Sequence, residues 1–104
     1  MWIRSQNNYI LANVYSLRIF KVDTDGCVYY SIHGHYDRYE QELGIYSTKE
    51  KALKVLDEIQ TSIMAERQFR IDELNCTRNY FGKEYKEIYR MPQDEDVEVW
   101  KKKI

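Results

Sequence analysis

The stretch SLRIFKVDTDGCVYYSIHGHY, residues 16–36, consists of two alternating runs joined by Asp25–Gly26. An Asp–Gly pair between such runs is a strong hairpin signal, because a type I′ turn needs positive φ at both central positions. With these two residues as the loop, Thr24 faces Cys27, Asp23 faces Val28, Ile19 faces Ile32, Arg18 faces His33 and Leu17 faces Gly34. Leu17, Ile19, Val28, Tyr30 and Ile32 then share one face, the expected core side. A slip of one residue would set Leu17 against His33 and Ile19 against Ser31, so the hydrophobic pattern and the turn chemistry agree on the register. The opposite face carries Arg18, Phe20 and Val22 on one strand and Tyr29, Ser31, His33 and His35 on the other. Phe20, Val22 and Tyr29 on that second face call for cover, which predicts a homo-oligomer.

Working outward, MWIRS reads as a strand, Asn7–Asn8 as a turn and YILANV as a second strand. After a turn around DRYE, residues 37–40, QELGIYS reads as another strand. Ser47-Thr48-Lys49-Glu50 has the form of a capping box, with Ser47 as the cap and Glu50 reaching back to it. The helix it opens, about 48–64, has an apolar stripe of Ala52, Val55, Leu56, Ile59 and Ile63 and is amphipathic. Beyond Met64 the pattern allows either a longer helix or a loop. KEYKEIYRM alternates again and is a strand candidate. Pro92 stops that run, and the acidic and basic clusters after it read as a charged tail, 93–104, in which Val97 and Val99 leave room for an edge strand. The expected fold is α+β: one antiparallel sheet of roughly four to six strands with the helix packed on one face. It forms a single domain over residues 1–92.

The composition restricts function. The chain has 104 residues, a length for one domain whose core is small enough that association would add useful burial. With 16 basic and 17 acidic residues the net charge is −1, which argues against charge-driven binding of nucleic acid or anionic membrane. No apolar run is long enough to span a bilayer. Cys27 and Cys76 lack metal-site or redox-motif spacing, and with no secretion signal they read as reduced thiols in a cytoplasm. The 10 Tyr residues favour strands and interfaces.

Two stretches, MWIRSQ at residues 1–6 and LGIYSTKEKALKVLDEIQ at 43–60, together resemble a group of small proteins of Firmicutes and their phages and prophages. The resemblance implies a compact sheet-plus-helix protein of a mobile-element genome, and it brings no catalytic residues with it. It also implies a role against host immunity, by sequestering a nucleotide signal or by binding a defence protein.

The residues that could carry chemistry lie on the second face of the hairpin. His33 and His35 project to one side about 6.5–7 Å apart, and Asp37 continues their parity. A zinc site needs three or four ligands, yet the chain has 2 His. Cys27 is too far along the strand, and Arg18 would set a fixed positive charge beside a cation. No metal and no cofactor are expected. The same residues suit an anion better: Arg18 offers a fork of donors, His33 and His35 can donate, and Phe20 and Tyr29 offer surfaces on which a base can stack. Arg67, Arg70, Arg78 and Tyr80 could add to this. Ser31 near His33 lacks an orienting third group, Glu40 and Glu42 sit in a charged turn, and no nucleophile motif appears. The expected function is therefore non-catalytic binding of a small anionic ligand such as a nucleotide, or of a host defence protein. The alternative is a protein–protein interaction module that docks on one host protein with no small ligand. Candidate ligand-binding residues are Arg18, Phe20, Tyr29, His33 and His35.

Overall fold

The structure is a computed structural model and describes residues 1–74 and 88–99, without the side chains of 68–74. Strands β1 (Trp2–Arg4), β2 (Leu11–Asn13), β3 (Ser16–Thr24), β4 (Cys27–Tyr36) and β5 (Tyr39–Tyr46) precede helix α1 (Lys49–Leu74). Strand β6 (Ile88–Arg90) and a 3-10 turn at Asp94–Asp96 follow. The protein is α+β, but the strands form two three-stranded sheets rather than the single antiparallel sheet expected. One sheet is the antiparallel meander β3-β4-β5. The other has the order β2-β1-β6, with β6 parallel to β1. A parallel pair needs a crossover, and the connection from β5 to β6 contains α1.

The β3–β4 register matches the one derived from Asp25–Gly26, from Thr24↔Cys27 to Arg18↔His33 and on to Ser16↔His35. Asp25 and Gly26 have φ of 50° and 80°, the signs that a type I′ turn demands. The first hairpin turns at Asn7–Asn8, where Asn8 has φ 69°. There the buried Ser5 accepts at Oγ from the Ile10 amide and donates to Asn7 Oδ1. The chain changes sheets between Val14, whose amide donates to Met1 O, and Tyr15, whose amide donates to His35 O.

Helix α1 lies on the Ile32 side of the meander, with Ala52, Val55 and Ile59 fully buried and Leu56 and Ile63 half-buried. It runs ten residues beyond the expected end at 64, to Leu74, because AERQFRIDEL contains no proline or glycine to stop it. Its start also differs by one residue. Thr48, not Ser47, is the cap, and its Oγ1 accepts from the Lys51 amide at 3.2 Å. Ser47 donates instead, through its amide and its hydroxyl, to Asp94 Oδ1.

That contact brings in the segment read as a tail. Val97 is buried, Asp94 also meets Lys51 Nζ at 3.6 Å, and Val97 and Val99 add no strand. Residues 93–99 thus pack onto the domain, and the remainder of that segment lies outside the described residues. The core also draws on Ile3, Ala12, Val14, Leu43, Tyr46 and Met91. Val28, expected inside, is 43% exposed, because the tip of the β3–β4 hairpin projects past the layer below it. Among the described residues no helix is long and apolar enough to cross a membrane.

Candidate functional site

Gly34 stands between the two histidines because of what lies behind it. A Cβ at this position would come within 2.6 Å of Val14 Cγ1 and 2.9 Å of Leu43 Cδ1. The glycine lets β2's exit and β5 close on the core side, while His33 and His35 project from the other side of β4. The short spacing of the two histidines is therefore a packing feature on one face and a polar feature on the other.

Strand β5 completes the polar face and carries a bulge just beyond it. Its register with β4 changes between Ile32 and His33, so that Ile32 pairs with Gly44 but His33 pairs with Glu42. Leu43 is the extra residue, and it turns into the core at 1% exposure. The bulge turns Leu43 and then Tyr46 to the core side, while Glu42 and Glu40, between it and the turn, stand opposite His33 and His35. His33 Nδ1 lies 3.4 Å from Glu40 Oε1, and His33 Nε2 lies 3.7 Å from Glu42 Oε2. His35 Nε2 lies 3.8 Å from the other oxygen of Glu40. These separations are too long for good hydrogen bonds, so the contacts act as ion pairs only when the imidazoles are protonated.

On β3, Arg18 does not reach toward an open anion site. Its guanidinium carbon sits 4.0 Å from the centroid of the Phe20 ring, and that ring meets the His33 ring edge-on with centroids 4.6 Å apart. Arg18, Phe20 and His33 thus form a row across two strands. His35 flanks it, with Tyr15 at 6.4 Å between ring centroids. The Tyr15 hydroxyl donates to Asp37 O at the β4–β5 turn. Tyr29 occupies the same face opposite Val22, nearer the hairpin tip, and makes no ring contact with this row among the described residues. Of the further candidates, Arg67 is exposed on α1; the Arg70 side chain, Arg78 and Tyr80 lie outside the described residues, as does Cys76.

Glu40 and Glu42 are the residues that sequence reasoning left out of this site. A turn over DRYE, as the sequence suggests, puts Glu40 inside it. The turn is only Asp37–Arg38, Asp37 takes φ 54°, and Tyr36 pairs with Tyr39. A two-residue loop at that point would have set Glu40 opposite His35 and Glu42 opposite His33 from sequence alone.

Ser31 is fully buried and donates to Glu42 Oε2 at 2.8 Å, so its hydroxyl is not a free nucleophile. Among the described residues no three His, Cys, Asp or Glu side chains are grouped to hold a metal ion. The groups with displaced pKa values lie elsewhere. Burial, reinforced by nearby carboxylates, pushes the Tyr46 and Tyr89 hydroxyls up. They donate to Pro92 O and to Glu58 respectively. No family model matches the chain, and no curated protein or solved structure matches it either.

Proposed function

We propose that the protein acts by binding, not by catalysis, and that its partner is a protein, with a host defence component the occupant to which the resemblance to phage and prophage proteins points. The observation that carries this reading is the make-up of the β3-β4-β5 face: Arg18 over Phe20, Phe20 against His33, and Glu40 and Glu42 facing the imidazoles. Arg and aromatic side chains ringed by charges of both signs are what protein interfaces favour. Phosphate is poorly matched to the same place, because it meets two carboxylates within 4 Å of the imidazoles that would bind it.

A nucleotide signal is the second reading, and Arg18 and Phe20 favour it: the guanidinium offers phosphate a fork of donors and the ring offers a base a surface. In both readings the protein works in the cytoplasm of a bacterial host, with no cofactor, no membrane partner and no nucleic acid.

The test uses the full chain. Immobilised protein is expected to retain one host protein that the Arg18→Glu and His33→Asp variants release, with no nucleotide raising the melting temperature. A nucleotide that raises the melting temperature of the wild type but not of Arg18→Ala transfers the site to the second reading. Turnover of that nucleotide would overturn both.

A further inference from the structure

The two edges of the β3-β4-β5 sheet differ. On the β5 side, Gln6 acts as a short strand: its amide donates to Leu43 O at 2.7 Å, and its side chain bonds both backbone groups of Ile45. On the β3 side no described residue takes that place. The open strand runs nine residues without a proline, glycine or bulge, which leaves it well formed for pairing.

The Asp25–Gly26 turn determines which groups are free. In a two-residue hairpin the pair beside the loop, Thr24 and Cys27, is hydrogen-bonded, so the even-numbered residues of β3 bond to β4. Leu17, Ile19, Lys21 and Asp23 therefore direct their amides and carbonyls outward. Lys21 and Asp23 share a face, are exposed and have no ion-pair partner among the described residues. From Asp23 to Val28 every residue is exposed, so the tip projects clear of α1 and a neighbour can approach it.

We infer that a second copy of this chain pairs antiparallel with β3 about a twofold axis through Val22. That register sets Lys21 opposite Asp23 of the other copy, and Asp23 opposite its Lys21, on one face. On the other face it sets Val22 against Val22 and Phe20 against Thr24. Opposite charges directly across an antiparallel pair stabilise it and like charges oppose it. Moving the axis to Lys21 would set lysine on lysine. Moving it to Phe20 would set both charges opposite Ile19 and Leu17 and would bring the half-buried part of β3 into the contact. The dimer is isologous, with one patch serving both copies. It joins two meanders into one six-stranded sheet and does not depend on what the Arg18–Phe20–His33 face binds.

Sedimentation of the full chain is expected to show twice the chain mass at about 100 µM, well above the micromolar range of a weak specific interface. Lys21→Asp and Asp23→Lys alone are each expected to abolish the dimer, and the double variant Lys21→Asp/Asp23→Lys is expected to restore it. A monomeric wild type at that concentration, or single variants that sediment as the wild type does, would overturn the inference. Hydrogen exchange of the wild type gives the same answer without a variant. The Lys21 and Asp23 amides are expected to slow as concentration rises while Leu17 and Ile19 do not. Equal slowing at all four, or at none, rules out the Val22 axis.

Discussion

The side-chain amide of Gln6 exchanges two hydrogen bonds with the backbone of Ile45, donating to its carbonyl at 3.0 Å and accepting from its amide at 2.9 Å. The same nitrogen donates to Pro92 O at 3.1 Å, and Gln6 O accepts from Gln93 Nε2 at 2.7 Å. One residue thus ties β1's exit, the edge of β5 and the segment after β6. It also joins the N-terminal stretch MWIRSQ to LGIYSTKEKALKVLDEIQ, residues 43–60.

Gln6→Ala removes all three side-chain bonds and leaves Ile45 unpaired at the edge. A loss of about 2 kcal/mol is expected, measured by urea denaturation. Faster amide exchange at Ile45 should accompany it. Wild-type exchange at Ile45 in the variant would show that the edge does not depend on this amide.

Gly34→Ala drives a methyl into Val14 and Leu43. The expected cost is about 1–3 kcal/mol, since both neighbours are buried branched side chains with little room to move. Val14→Ala in the same chain should recover part of it, and a double-mutant cycle reads the coupling. Independent, additive effects would contradict the close approach.

Thr48→Ala should lower stability by about 1 kcal/mol through loss of the cap on α1. Ser47→Ala should leave helix content unchanged and act instead on the Asp94 contact. Circular dichroism of the two variants distinguishes the roles.

Slight burial pushes the Asp94 carboxyl up, but hydrogen bonds from Ser47 and the Lys51 ammonium outweigh this and hold it below its ordinary value of 3.8. A carboxyl depressed in the folded state adds stability above its unfolded value and loses it as pH falls through the folded one. The wild type should therefore melt higher than Asp94→Asn at neutral pH. The gap should close as the pH drops below about 3.8. A gap that persists undiminished in acid would exclude the charge as its source.

The hairpin of β3 and β4 was legible because it is local: two loop residues fix the backbone, and the alternation of Leu17, Ile19 and Ile32 rejects the slipped register. The helix stripe was legible for the same reason. The division into two sheets was not, because it depends on Gln6, Val14 and Tyr15 finding partners far along the chain, which no periodicity records. The site was half legible. Parity placed Arg18, Phe20, His33 and His35 on one face, but the carboxylates depended on the length of the Asp37–Arg38 turn.

The parallel pairing of β1 with β6 dictates an order of assembly. The meander can close as soon as Tyr46 has been synthesised, since its contacts join neighbours in sequence. Trp2–Arg4, although made first, must wait for Ile88–Arg90 before its second edge is satisfied. Contacts of such long reach are slow to form. During that interval an apolar strand is left unprotected, so C-terminal truncations before Ile88 should aggregate even though the β3–β5 meander remains intact.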